Sequence, residues 1–197
     1  MNLIILDNGH GKDTKGKRSP IWSDGTQLFE WEFNRQIVRK IAKHLRNSNI
    51  PYHILVPEEH DVSLKERCLR ANKFSKDSLL ISIHGNAFKG DGSAFGYEIF
   101  TSKGITKSDP ISEIFFNEMK DMFPTKKMRS DYTDGYADKE AMFTIITKTK
   151  MSAVLTENFF LDNEEDCKLM MSEKGQDMIA LAHFNAIVKA IDKGLLC

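Results

Sequence analysis

The sequence has no excess of charge of either sign: 28 Lys and Arg face 28 Asp and Glu. Without a net field there is no general attraction for nucleic acid or an anionic membrane, so neither is expected as a partner. The chain also lacks any apolar run near the roughly 20 residues that a bilayer requires, so membrane insertion is not expected. Cysteine is scarce. Cys68, Cys167 and Cys197 are odd in number, widely spaced and outside any CxxC pair, which points to free thiols in a reducing compartment rather than a disulfide framework. The N-terminus has no basic region and no long apolar stretch, only the short run Leu3 to Leu6, so no signal peptide is read there. Internal repeats, linkers and low-complexity tails are missing as well.

What is present is an ordinary globular composition. At 197 residues, 41% hydrophobic and 28% charged, the chain has enough apolar material for one core and is read as a single domain, residues 1–197. Short apolar runs alternate with longer amphipathic ones. That pattern predicts an α/β fold: a twisted, mostly parallel sheet of about six strands with helices on both faces. Strands are expected at Leu3 to Leu6, Pro51 to Val56, Leu79 to Ile83, Tyr97 to Thr101, Met142 to Thr147 and Ala153 to Phe159. Between Glu30 and Leu45, Phe33, Ile37, Ile41 and Leu45 recur at helical spacing, with Glu32, Arg35, Gln36, Arg39, Lys40 and Lys43 on the other side. Further helices are expected at Ser63 to Phe74, capped by Asp61 or Ser63, from Asp109 and Pro110 to before Pro124, and at Ile179 to Ile191. Thr125 to Lys139, polar and with Gly135, reads as an exposed loop, either a solvated connection or the border of a site.

Four polar residues interrupt the apolar patterns. His10 follows the first strand between Gly9 and Gly11, where the backbone can turn sharply and leave the imidazole accessible; a histidine beside a turn is also commonly structural. Glu30 shares the helix face of Phe33, Ile37 and Ile41, at about 100° per residue, whereas Glu32 points to the charged side. A carboxylate at the end of an apolar stripe must be paired or metal-bound, or else serve as a first-turn acid favoured by the helix dipole. His84 ends the strand Leu79 to Ile83, and sites in open α/β sheets gather beyond the carboxyl ends of strands. Glu157, near the end of another apolar strand, is either salt-bridged or a general base. Two His and one Glu with an open fourth position suit catalytic zinc, although HExxH spacing is absent.

In order along the chain, Leu6-Asp7-Asn8-Gly9-His10-Gly11, Glu30 with Asn34, Asp61-Val62-Ser63-Leu64 through Arg67 and Ala71-Asn72, Ser82-Ile83-His84-Gly85-Asn86, and Val154-Leu155-Thr156-Glu157-Asn158-Phe159 resemble the landmarks of the zinc-dependent N-acetylmuramoyl-L-alanine amidases, the type-3 amidase family of cell-wall hydrolases and endolysins. The resemblance runs from about Leu3 to Ile191. It implies Zn²⁺ as cofactor with His10, Glu30 and His84 as ligands, Glu157 as catalytic acid/base, and bacterial peptidoglycan as substrate. The amide between the muramic acid lactyl group and L-alanine would be the one cut. The chain departs from the family pattern where Asn158 and Phe159 replace a small residue and glycine, where Ser152 replaces proline, and in a longer, more charged stretch from Lys12 to Leu28. Asn34 and Asn86 are candidates for orienting the ligands or for serving helix and turn, and His44, His53, His60 and His183 are given no role. The implied protein is a monomeric phage or prophage endolysin without a separate wall-binding domain. It would be made in the cytoplasm and reach the wall by holin-type release; a host autolysin, a non-catalytic wall-binding module and a zinc peptidase on another amide are the alternatives.

Overall fold

The computed structural model describes residues 3–196. Its elements follow one another as β1 (Ile4–Asn8), α1 (Glu30–Asn47), β2 (Tyr52–Ile54), α2 (Leu64–Ala71), β3 (Leu79–Asn86), β4 (Tyr97–Thr101), α3 (Asp109–Met122), β5 (Lys139–Glu140), α4 (Thr144–Thr147), β6 (Ser152–Phe160), α5 (Glu164–Met171) and α6 (Glu173–Asp192). The strands form one six-stranded sheet in the order β2-β1-β3-β6-β4-β5. Pairing is parallel except between β4 and β6. This is the expected α/β architecture.

Side-chain alternation along the strands gives the sheet two buried faces. Ile4, Leu6, Ile81, Ile83, Val154 and Ile99 pack on the larger layer, where α1, α3 and α6 supply Phe33, Ile37, Ile41, Phe115, Ile179 and Ile187. Ile5, Leu80, Ala153 and Leu155 face the smaller layer, Cys68 and Ala71 of α2 and Ile145 and Ile146 of α4. Burial on both sides explains why β1 and β3 read as near-continuous apolar runs. In α1 the apolar stripe is fully buried and Glu32 is exposed, as helical phase requires. Ser63 caps α2 by accepting from the Glu66 amide at 3.3 Å.

The segment Met142 to Thr147 is not a strand. Thr144–Thr147 is a four-residue helix, with Ile145 and Ile146 buried and Met142 75% exposed. A short apolar run carries no period, and here two adjacent isoleucines must enter the same core, which a strand's alternation forbids. Sequence reading also passed over α5, whose buried contribution is confined to Asp166, Cys167 and Met170; Asn163 caps it at the Asp166 amide, 3.1 Å away. The stretch Thr125 to Lys139 is only partly solvated. Met128 bridges to Tyr97, and buried Asp138 accepts from the Thr101 and Ser112 hydroxyls at 2.5 and 2.7 Å. Cys68 and Cys167 are buried free thiols; Cys197 lies outside the described residues.

Candidate metal centre

The site is assembled at the carboxyl ends of β1 and β3. The chain leaving β1 has no space for a side chain at Gly9: a Cβ there would lie 2.1 Å from Cε1 of His84. The next residue, His10, adopts a left-handed φ of 61°, a strained conformation for a non-glycine residue. Two buried arginines hold it. Arg35 Nη1 donates to the His10 carbonyl at 2.9 Å and Arg67 Nη2 at 3.3 Å. Arg67 is itself fixed by Asp7 Oδ1 at 2.6 Å, the Asn8 carbonyl at 2.7 Å and the Val62 carbonyl at 2.7 Å. Asp7 accepts in addition from Ser82 at 2.6 Å.

Glu30 enters from the first turn of α1, where its amide donates to the Lys17 carbonyl at 3.0 Å. Its side chain is 2% exposed, and Oε1 lies 3.3 Å from His10 Nε2 and 3.0 Å from His84 Nδ1. The imidazoles meet edge to face with centroids 4.9 Å apart. Burial acts to raise the Glu30 carboxyl, but hydrogen bonds and charge from the two histidines outweigh it and hold the group well below the usual range. For His84, burial favours the neutral ring, and the bond to Glu30 reverses the balance upward.

Strand register sets the remaining acid. His84 of β3 is opposite Glu157 of β6, and Glu157 is opposite Glu98 of β4. The three side chains therefore stand in one row on one face of the sheet. Glu157 is partly exposed, yet its Oε2 is buried without a hydrogen-bond partner. Burial pushes this carboxyl up to about 8, against the pull of His84 and with the help of Glu30. After Glu157 the backbone turns through Phe159 at φ 71°. The left-handed cost of about 1–2 kcal/mol is outweighed by burying a whole phenyl ring, worth about 3–5 kcal/mol, edge to face with Phe123 at 5.1 Å.

His10, Glu30 and His84 offer ligand atoms that all lie within 4.8 Å of one another. Two imidazole nitrogens and a buried carboxylate converging on one point fit a divalent cation of the zinc type, which takes mixed nitrogen and oxygen donors. A cavity of about 250 Å³ opens onto the centre, bordered by Gly9, His10, His84, Arg67, Asp61 and Ile145. Asn34 donates to the Gly9 carbonyl at 3.0 Å, steadying the His10 turn. Asn86 instead donates to Glu98 Oε2 at 2.9 Å. Arg35, expected on the polar side of α1, is buried, as are Arg67, which entered only through the family resemblance, and Glu98, which no sequence signal marked. Their phase on α1, α2 and β4 marked them only as charges near apolar positions, and the partners that fix them here are 12 to 60 residues distant.

The other histidines stay outside the centre. His44 stacks on Phe184 and His53 tilts on Phe74, while His60 is exposed. His183 is fully buried on α6; Nδ1 donates to the Ile179 carbonyl at 2.8 Å and Nε2 accepts from Thr156 at 3.1 Å. Burial lowers its pKa from 6.5 to about 4, only partly opposed by the Ile179 carbonyl. The folded state thus resists protonation while the unfolded chain takes a proton below 6.5. His183 stabilises fully above pH 6.5 and loses that contribution as pH falls toward 4, by about 3 kcal/mol. Denaturant titrations at pH 7 and pH 4.5 should show a smaller loss for His183→Gln than for the parent protein; equal losses would remove His183 from the acid response.

The chain as a whole resembles known proteins in sequence and fold. The sequence profile described as N-acetylmuramoyl-L-alanine amidase matches residues 4–189. The endolysin of Bacillus phage SPP1 is 25% identical over 192 residues, which are 96% of this chain and 66% of the endolysin. The N-acetylmuramoyl-L-alanine amidase CwlM of Bacillus licheniformis is 29% identical over 195 residues, 98% of this chain and 70% of CwlM. The chain therefore spans about two thirds of the length of these relatives. Among solved structures, the N-acetylmuramoyl-L-alanine amidase from Clostridium difficile 630 superposes with a TM-score of 0.82 at 25% identity, covering 97% of both chains. A profile match over nearly the whole chain, on a fold shared end to end with a solved member, shows that this chain belongs to the N-acetylmuramoyl-L-alanine amidase family.

Proposed function

We propose that the protein is a zinc-dependent hydrolase that cuts the amide between the lactyl group of N-acetylmuramic acid and the L-alanine of peptidoglycan stem peptides. The observation that carries this reading is the convergence of His10, Glu30 and His84 beside Glu157. The three residues would hold the cation, His10 and His84 through ring nitrogens and Glu30 through its carboxylate. Zinc bound there would supply Lewis acidity, polarising the scissile carbonyl and making the attacking water a stronger acid.

Glu157 moves the proton. Its partnerless, buried Oε2 is free to accept from the attacking water, and the same oxygen can return the proton to the departing amine nitrogen. A proton affinity raised toward neutrality suits a group that must both take and give. Glu30, in contrast, is held ionised by two histidines, which suits a permanent ligand and not a proton carrier. Division of labour between the two glutamates thus follows from their surroundings.

Similarity to a phage endolysin supports a phage or prophage lytic enzyme, for which we propose a monomer that reaches the wall through a holin-type lesion. No helix among the described residues is long and apolar enough to cross a membrane. Incubating the purified chain with peptidoglycan should release stem peptides bearing free L-alanine amino ends. A chelator should stop the release and added zinc restore it. Wall left intact with zinc present would contradict the proposal.

A further inference from the structure

Glu98 is an acid that takes no direct part in the amidase reaction, its charge only adding to the rise at Glu157. It stands one strand beyond Glu157, directly opposite it across the β4–β6 pair, and is 5% exposed. Burial alone would keep it protonated, but two cations overcome that and hold it ionised. Lys139 Nζ donates to Oε1 at 2.7 Å, Arg129 Nε donates to the same oxygen, and Asn86 donates to Oε2 at 2.9 Å. The Arg129 guanidinium also lies over the Phe160 ring, 5.3 Å from its centroid.

One carboxylate is balanced by one cation, yet this one fixes two. The cluster therefore carries a surplus positive charge beside the row of His84 and Glu157. Arg129 and Lys139 are 27% and 28% exposed, so both reach solvent while being held from behind. Among the described residues only Nε of Arg129 is hydrogen-bonded, leaving the two Nη groups as an unused fork. A guanidinium locked in place by a buried acid and an aromatic face loses little freedom on binding, and its planar fork matches a carboxylate.

We propose that Arg129 and Lys139, braced by Glu98, form a subsite for a free carboxylate of the stem peptide. This rests on the amidase reading given above. In peptidoglycan the lactyl carboxyl is consumed by the scissile amide itself, so the free carboxylates near that bond belong to the peptide. With the scissile amide at Glu157, the neighbouring strand that carries Glu98 is about 5 Å away, and the match of a carboxylate to the two cations assigns the peptide arm to that side.

The test compares matched muramoyl peptides in which the residue after L-alanine carries a free carboxylate or its amide. The parent enzyme should favour the free form by about ten-fold or more in kcat/KM, chiefly through KM. Arg129→Met should bring the ratio to about one, Arg129→Lys should keep part of it, and Lys139→Met should lower it. A ratio within each variant is insensitive to a general loss of folded protein. Calorimetric binding of both peptides to Glu157→Gln reads the subsite without turnover. Cleavage of both forms at equal efficiency overturns the subsite and leaves the amidase reading standing. Selective binding of the free form with no cleavage by the parent enzyme upholds the subsite and overturns the amidase reading.

Discussion

The Glu157→Gln enzyme should turn over about 10² to 10⁴ times more slowly than the parent, with zinc content and thermal midpoint nearly unchanged. Glutamine keeps the size of the side chain and removes only the capacity to take a proton. Its amide does not strand a new charge, because Oε2 of Glu157 already lacks a hydrogen-bond partner. Nor does it touch the three groups that meet within 4.8 Å. The loss should therefore fall on kcat and leave KM within a few-fold, since water activation matters in the transition state and not in substrate binding. Steady-state kinetics on a soluble muramoyl peptide separates the two. A drop confined to KM would show that Glu157 binds substrate and does not move the proton.

The second large effect concerns a residue that touches no substrate. Arg67→Met should lower stability by about 3–5 kcal/mol, the usual result of stripping one partner from a buried ion pair. Arg67 is 2% exposed and ties Asp7 to the carbonyls of Val62, Asn8 and His10. Without it Asp7 retains only Ser82, and the left-handed turn at His10 loses one of its two clamps. The double variant Asp7→Asn with Arg67→Met should be less damaged than the sum of the singles, because the stranded charge is gone. Denaturant midpoints measure all three proteins. A cost below about 1 kcal/mol for Arg67→Met would mean that the pair is not a support of the turn.

The same residues explain what the sequence could and could not disclose. Helical phase alone separated Glu30 from Glu32, because the stripe from Phe33 to Leu45 fixes which side of α1 is buried. His84 and Glu157 stood out as ionisable groups closing apolar strands. Their neighbourhood with Glu98 did not, since it depends on which strands pair and in what register, and β4 alone runs antiparallel to its neighbour β6. The pairing of Arg67 was hidden for the same reason: Asp7 and Arg67 are 60 residues apart. Local signals failed where they carry no period, as at Ile145 and Ile146, or where few residues are buried, as in α5. Phe159 is the opposite case. The sequence showed a phenylalanine where the family pattern has glycine, and the chain keeps the left-handed turn because the buried ring outweighs its strain.

The central claim is that holding the cation and moving the proton belong to different residues. Zinc content of the purified parent beside His10→Ala, Glu30→Ala, His84→Ala and Glu157→Gln tests it most directly. The first three variants should fall to background, since each removes one of the three proposed ligands. Glu157→Gln should retain zinc at the parent level while losing hydrolysis. Loss of zinc from Glu157→Gln, or retention of it by Glu30→Ala, would contradict the account.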